Sequence, residues 1–371
     1  MTQEMSIAPS ARRWRDRALL AALCTLTAQA VAAPYTVVDL ATLAQGTVAV
    51  VRGPNGSGAG VGGGRLKAGS RSGKQVGLHF EGPDAPRQID GLPNSDGSTV
   101  FGLNDTGLLV GSANAATAMR AFASTSTGAG RELRPLPGDT ASAAHSVNNS
   151  GQAVGFSSGA SGQRAVLWDA AGNPAALPSL ADTTSSRALG INARGDAVGT
   201  VGTNAGPRPV FWPSGRPGRT LPLLPGHVVG EAYAINARGD AVGYSADAAG
   251  MRRATHWPAA GGVVNLGTLP GGSFSHALEL NEAGDIVGAS GSASGDRAFV
   301  WSRASGMQDL NTLIDPSTFV LSRAVGINSA GTIIVTGYDP GADGHTHTGA
   351  DGHVDAHELP IRVFRLVRGG P

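Results

Sequence analysis

One motif recurs along the chain at an almost constant interval, and it constrains the fold more than any other feature. Two clear copies are LGINARGDAVG, from Leu189, and YAINARGDAVG, from Tyr233. The asparagines of six copies are separated by 44, 44, 44, 45 and 47 residues. They are Asn104, Asn148, Asn192, Asn236, Asn281 and Asn328. A degraded seventh copy, PNGSGAGVG, places Asn55 in the same register, so the chain is predicted to consist of seven structural units.

Each repeat contains four strand-like pieces. In the third clear copy, apolar residues alternate over 187–191, and short apolar pieces follow at 196–201, 209–212 and 219–224. Glycine and proline clusters separate the pieces, as they do between strands. Four short strands in a repeat of about 40–45 residues are typical of a propeller blade. We therefore predict an all-β fold, a β-propeller of seven four-stranded blades. A six-bladed ring with a loose N-terminal arm is the alternative.

The two ends of the repeat region are predicted to meet. The segment YTVVDLATL, from Tyr35, matches the fourth-strand segment NLGTL near Leu266, and the last repeat lacks such a strand. An N-terminal strand at 35–40 that completes the C-terminal blade would hide two sheet edges. We expect the ring to close in this way.

Residues that recur in every repeat are interpreted as structural. The repeat asparagine can cap a turn with its side chain, and Gly195 can supply the positive φ of a tight hairpin. Bulky rings would fill the space between blades at Trp168, Trp212, Trp257 and Trp301. The arginines four residues before these tryptophans, such as Arg208, are predicted to pair with turn acids, namely Asp196, Asp240 and Asp285.

The N-terminal 33 residues predict a cleaved export signal, and the propeller domain is predicted over 34–371. Four arginines precede the apolar run 18–28, and small residues follow to Ala33. The only cysteine, Cys24, lies in this segment, so the exported chain would have no disulfide or thiolate site. We expect an extracellular or periplasmic protein with no membrane span after signal cleavage.

Charge disfavours a nucleic-acid partner. The formal charge of +1 falls to about −1 without the signal, and the arginines are dispersed. Phosphate backbones require clustered cations.

With 56 glycines and only 15% charged residues, the composition suits short strands joined by turns. We expect a monomer.

The repeat resembles the extracellular HAF-repeat family. The resemblance rests on the INxxGxxVG pattern, on Arg120-Ala121-Phe122 and Arg297-Ala298-Phe299, and on DLGTL-like segments such as Leu266-Gly267-Thr268-Leu269. It covers about residues 35–370. Arginine stands where the namesake histidine would be, so no role is carried over to that position. The resemblance implies an exported repeat protein and implies no established activity.

The largest interruption of the repeat is an insertion at 339–360 in the last blade. It reads DPGADGHTHTGADGHVDAHELP and is rich in imidazole and carboxylate groups, which suit Zn²⁺, Cu²⁺ or Ni²⁺. The candidate metal ligands are His345, His347, His353, His357, Asp343, Asp351 and Asp355. A solvated loop with incidental histidines is the alternative. No cofactor is otherwise required.

A second candidate site is a ring of variable residues five positions before each repeat asparagine. In a propeller, the links from fourth to first and from second to third strands share one face, so this ring and the insertion should lie on the same face. Loops on a rigid scaffold commonly carry binding residues. The ring positions are Thr99, Ala143, Arg187, Glu231, His276 and Arg323, with His145 and Tyr233 nearby.

These patterns predict a non-enzymatic exported module that binds a protein or a glycan. No metalloprotease, P-loop or zinc-ligand spacing occurs in the sequence. An extracellular glycan hydrolase or lyase is one alternative, and it would need two carboxylates about 5–10 Å apart. Glu231 is the only acid in the ring, which disfavours an enzyme. A metal-binding surface protein, using the insertion, is the other alternative.

Overall fold

The computed structural model describes residues 33–40, 43, 46–67, 72–340 and 361–369. The predicted signal segment lies outside these residues. Twenty-eight strands and one short 3-10 helix, Leu310–Thr312, form the described part of the chain. The strands are β1 Tyr35–Leu40, β2 Gly46–Arg52, β3 Gly60–Leu66, β4 Gln75–Phe80, β5 Arg87–Ile89, β6 Ser98–Leu103, β7 Leu109–Asn114, β8 Met119–Ser124, β9 Arg131–Glu132, β10 Asp139–Val147, β11 Ala153–Gly159, β12 Gly162–Trp168, β13 Pro174–Ala176, β14 Thr183–Ile191, β15 Ala197–Thr203, β16 Gly206–Trp212, β17 Arg219–Thr220, β18 His227–Ile235, β19 Ala241–Asp247, β20 Arg252–Trp257, β21 Val264–Asn265, β22 Ser275–Leu280, β23 Ile286–Ser292, β24 Gly295–Ser302, β25 Gly306–Asp309, β26 Val320–Ile327, β27 Ile333–Tyr338 and β28 Arg362–Arg368.

The strands form seven four-stranded antiparallel sheets arranged in a ring, so the fold is a seven-bladed β-propeller, as predicted. Blades one to six are β2–β5, β6–β9, β10–β13, β14–β17, β18–β21 and β22–β25. Blade seven has the order β1-β28-β27-β26, in which the N-terminal strand pairs with the last strand of the chain. The predicted closure is therefore confirmed, and the six-bladed alternative is wrong.

The repeat asparagines hold both their own turns and the ring. Each Oδ1 accepts hydrogen bonds from backbone N–H groups of the turn, as Asn192 does from Arg194 and Asp196 at 3.0 Å. Each Nδ2 also donates to the backbone oxygen of the next blade's asparagine, at 2.9–3.3 Å. The last of these bonds, from Asn328 to Asn55, completes a cycle of seven. The predicted capping role is confirmed, and the bond between blades was not foreseen.

Tight packing explains two other recurring residue types. The glycine seven positions after the asparagine leaves no room for a side chain, since a Cβ at Gly199 would lie 2.1 Å from the Arg187 oxygen. The indole of Trp212 is buried between blades, and its Nε1 donates to the oxygen of Pro178 at 3.0 Å. The tryptophans therefore fill the space between blades, as expected.

The predicted pairing of strand arginines with turn acids is wrong. Asp196 pairs with Arg194 of its own turn, at 2.7 Å, and Arg164 pairs with Asp139, at 2.9 Å. The third-strand arginines stand four residues from the tryptophan that faces the turn, roughly 13 Å along the strand. Turn acids and strand arginines therefore lie towards opposite ends of a blade.

Within the described residues, no helix is long and apolar enough to cross a membrane.

Candidate functional site

A repeated β-bulge directs side chains into the centre of the ring. The innermost strand of blades two to seven shifts register three residues before the repeat asparagine, as between Ala144 and Ser146 in β10. A bulge leaves one residue outside the ladder and redirects its side chain. We call these six residues the bulge positions. They are Phe101, His145, Leu189, Tyr233, Leu278 and Val325.

The bulge positions line a central cavity of about 460 Å³. This volume is within the usual range of small-molecule pockets. Charged side chains from five blades join the lining, and the blades thereby bring together residues far apart in sequence. These charged residues are Arg52, Arg187, Glu231, Glu279 and Arg323.

Most of the predicted binding residues reach this cavity. Arg187, Glu231 and Arg323 line it from the variable ring, and His145 and Tyr233 line it from the bulge positions.

Three members of the variable ring lie elsewhere. Thr99 and Ala143 are buried within their blades. The imidazole of His276 stacks on Tyr244, at 5.5 Å between centroids, and lies edge-on to Phe274. His276 therefore belongs to an aromatic cluster rather than to the cavity lining.

Two charged residues of the cavity were missed by sequence reasoning. Glu279 stands two residues before its asparagine, where the other blades have Gly53, Gly102, Ser146, Gly190, Ala234 and Gly326. Arg52 stands three residues before Asn55, in the register of the bulge positions. An alignment of the repeats identifies both residues, since each is charged where the other repeats have small or uncharged residues.

Glu279 is half-buried in the wall of the cavity. Burial raises its pKa to about 7, against the opposing effects of the Leu280 N–H and the charge of Arg52. Its Oε1 accepts a hydrogen bond from the Leu280 N–H, at 3.1 Å. The group therefore exchanges a proton near neutral pH, as a general acid or a pH-sensitive ligand would.

Arg187 and Glu231 form an ion pair on the cavity wall. The Nη2 of Arg187 lies 3.0 Å from Oε1 of Glu231. The Nε of Arg187 is buried and has no hydrogen-bond partner among the described residues. One donor of this guanidinium is therefore left for another partner.

Arg52 and Arg323 have no acidic partner within 4.0 Å among the described residues. Arg52 makes one side-chain hydrogen bond there, from Nη1 to the oxygen of Val51 at 2.8 Å. Burial lowers the pKa of Arg52, the charge of Arg323 lowers it further, and the charge of Glu279 acts in the opposite direction. Burial also lowers the pKa of Arg323. The cavity thus holds two cations whose charges are not neutralised by a close carboxylate.

His145 and Tyr233 supply neutral polar groups. Nδ1 of His145 donates to the oxygen of Ala188 at 2.9 Å, which leaves Nε2 as the acceptor of the neutral ring. Burial lowers the pKa of His145 to about 4, so the ring is uncharged at neutral pH. Burial and the charge of Glu231 raise the pKa of Tyr233, so its hydroxyl stays protonated.

The predicted metal ligands of the insertion lie outside the described residues. The end of β27 is described, and Tyr338 pairs with Val320 at the start of β26. The insertion therefore leaves the blade at the face where the innermost strands begin, as predicted. Within the described part of the chain, no group of three or more metal-ligating side chains occurs. Metal binding at the insertion stays a prediction.

Comparison with known proteins identifies the fold alone. No family model and no curated protein matches the chain. A puromycin-hydrolysing peptidase of Mycobacterium tuberculosis matches with a TM-score of 0.57 and 13% identity, over 90% of this chain and 54% of that one. An acylaminoacyl peptidase of Pyrococcus horikoshii gives 0.50 and 10%, over 79% and 49%. TolB from Acinetobacter baumannii gives 0.44 and 11%, over 62% and 57%. The chain spans about half the length of each of these proteins.

Proposed function

We propose that this chain is an exported, non-catalytic binding module, and that a protein or glycan ligand enters the central cavity of its propeller. One observation carries the proposal. The cavity gathers side chains that differ from blade to blade, while the repeated residues a few positions away are alike and fully hydrogen-bonded. A rigid ring that presents a variable, charged centre has the organisation of a binding scaffold.

The sequence supports an extracellular or periplasmic location. The predicted signal peptide at 1–33 implies export, and the repeat motif supports membership of the HAF-repeat family. Both inferences rest on the printed sequence.

A plugged cavity tests the proposal. Leu189 is a bulge position on the cavity wall, so Leu189→Trp fills the space with a larger ring. Val264→Trp is the control, because Val264 is 38% exposed on the outer strand β21. We would screen neutral glycans, acidic glycans and peptides by titration calorimetry. A ligand that binds the wild type and the control but not Leu189→Trp supports the cavity as the site. Equal binding by all three proteins contradicts it.

A glycan-active enzyme is the second candidate, and Glu279 favours it. The variable ring offers only Glu231, but the cavity contains a second carboxyl group. The pKa of Glu279, raised by burial to about 7, is suitable for a general acid. The cavity thus contains two acids, Glu231 and Glu279, so the presence of a single acid in the variable ring no longer argues against an enzyme.

The enzyme hypothesis is tested by product formation. Polysaccharides would be incubated with the wild type, Glu231→Gln and Glu279→Gln, and new reducing ends and unsaturated sugars would be measured. Activity that either substitution abolishes supports catalysis and contradicts the non-catalytic proposal. Absence of products from every glycan that binds supports the binding module.

A further inference from the structure

The charges of the cavity indicate the kind of ligand it accepts. Arg187 is neutralised by Glu231 at 3.0 Å, whereas Arg52 and Arg323 have no such partner among the described residues. These two arginines lie on β2 and β26, which belong to neighbouring blades. The free cavity therefore has a positive region at the junction of blades one and seven.

Two neighbouring guanidinium groups without a close anion are unfavourable. Both arginines are exposed to solvent, and the charge of Arg323 acts against that of Arg52, an effect that the charge of Glu279 offsets only in part. An anion placed between them relieves this repulsion. Arginine is suited to this role because its planar group donates two parallel hydrogen bonds to a carboxylate.

The acids of the cavity limit the charge of that anion. Glu231 is already paired with Arg187, and Glu279 adds a negative charge to the same lining when it is ionised, so it would repel a multiply charged phosphate. A single carboxylate matches the two free arginines with less repulsion. The cavity thus favours a monoanionic group.

The remaining lining suits the hydroxyl groups and the faces of a sugar. The hydroxyls of Tyr233 and Ser146 and the Nε2 of His145 offer hydrogen-bonding groups to a polyol. The rings of Phe101 and Tyr233 add flat apolar surface. Apolar walls with a few polar groups are typical of small-ligand sites.

We propose that the central cavity binds a uronic acid residue of an acidic glycan, with the sugar carboxylate on Arg52 and Arg323. This inference rests on the proposed function and names its ligand class. A peptide with a free C-terminal carboxylate presents the same anion without the hydroxyl groups of a sugar. Preferential binding of such a peptide is therefore the competing outcome of the test.

The test is titration calorimetry of the full protein at low salt and about pH 6.5. The acidic probes are tetrasaccharides of galacturonate, glucuronate, mannuronate and guluronate. The matched neutral probe is the methyl ester of whichever tetrasaccharide binds, which keeps the rings and masks the carboxylates. A tetrapeptide with a free C-terminus and its amide form the peptide arm.

We expect at least one acidic tetrasaccharide to bind and its ester to bind at least tenfold more weakly. Arg52→Gln and Arg323→Gln should each weaken binding at least tenfold. Arg216→Gln should leave the affinity unchanged, because Arg216 is exposed in the hairpin between β16 and β17 and does not line the cavity. Circular dichroism and the melting temperature identify any variant that fails to fold. If one arginine variant does not fold, the other variant and the ester comparison still decide the question.

Three results would overturn the inference. Equal affinity for acid and ester shows that the carboxylate is not recognised, and preferential binding of the free-acid peptide assigns the cavity to peptides. Either result leaves the proposed function standing if Leu189→Trp abolishes that binding. No binding by any glycan or peptide probe would overturn the inference and the proposed function together.

Discussion

The ring of asparagines and the cavity beside it are built from the same strands, yet they differ in almost every physical respect. The asparagines are chemically identical in all seven blades, and each bonds to its own turn and to the next blade. Two to five residues earlier, the same strands carry Arg52, Tyr233, Glu279 and Arg323. Several of these groups have no close partner of opposite charge.

The difference separates fold from function. A cycle of identical, buried hydrogen bonds stabilises the ring, and any blade-specific change there would leave unsatisfied groups. Charged groups that are buried without partners lower stability, and such groups persist at functional sites because they interact with a ligand. Removing an unpaired charge from the cavity should therefore keep or raise stability, whereas removing an asparagine of the ring should lower it.

The largest expected effect is loss of stability in Asn192→Ala. The substitution removes two acceptor contacts to the turn and the donor contact to the oxygen of Asn236. Buried backbone groups are left unsatisfied, so we expect a loss of about 2–4 kcal/mol. Urea unfolding would measure it, with the exposed Asn204→Ala as a control that changes stability by less than about 0.5 kcal/mol. Equal effects of the two substitutions would contradict the role of the asparagine cycle.

Glu279→Gln should increase the stability of the protein rather than lower it, and the gain should depend on pH. Burial raises the folded-state pKa of Glu279 from 4.5 to about 7, so the folded protein binds this proton more tightly than the unfolded chain does. Wild-type stability should therefore fall as pH rises from about 4.5 to 7. Because glutamine does not ionise, Glu279→Gln does not lose stability in this pH range. It should therefore be more stable than the wild type at pH 8 by up to about 3 kcal/mol.

The comparison requires unfolding curves at several pH values. Asp84→Asn is the control, since Asp84 is exposed between β4 and β5. A constant difference between Glu279→Gln and wild type from about pH 4.5 to 8 would contradict the buried-carboxyl interpretation.

Arg52→Gln should keep or increase stability by at most about 1 kcal/mol, although it should weaken ligand binding. The substitution removes a charge that Arg323 repels and Glu279 attracts, and water screens both effects because Arg52 is exposed. Melting temperatures of the ligand-free proteins would measure the effect. A stability loss of about 2 kcal/mol or more would show that Arg52 serves the fold rather than a ligand.

The smallest effect is expected for Glu231→Gln. Its partner Arg187 keeps 40% of its side chain exposed, so water screens the ion pair. We expect a loss below about 1 kcal/mol, and a smaller loss at high salt than at low salt. Unfolding at the two salt concentrations would test this, and an effect independent of salt would assign the change to packing.

The fold could be predicted from the sequence because the asparagine motif recurs in each blade. Seven asparagines at intervals of 44 to 49 residues predicted the number of blades, and the resemblance between the Tyr35 and Leu266 segments predicted the closure. The pairing of third-strand arginines with Asp196 was predicted wrongly, because sequence spacing does not show that these groups lie towards opposite ends of a blade.

The site could be predicted only in part. The variability of ring positions identified Arg187, Glu231 and Arg323, which the structure places in one cavity. The β-bulge has no sequence signature of its own, so the inward direction of Phe101, Leu189, Leu278 and Val325 was not foreseen. Glu279 and Arg52 lie outside the variable ring and were also missed, although each stands out when the repeats are aligned.

A crystal structure of the complex would show whether the variable residues of the cavity form the proposed binding site. Crystals would be grown with the acidic tetrasaccharide that binds most tightly in solution. We expect a sugar carboxylate within hydrogen-bond distance of Arg52 and Arg323 in the central cavity. An empty cavity, with the sugar bound on the outer strands or at the 339–360 insertion, would show that the binding site lies elsewhere.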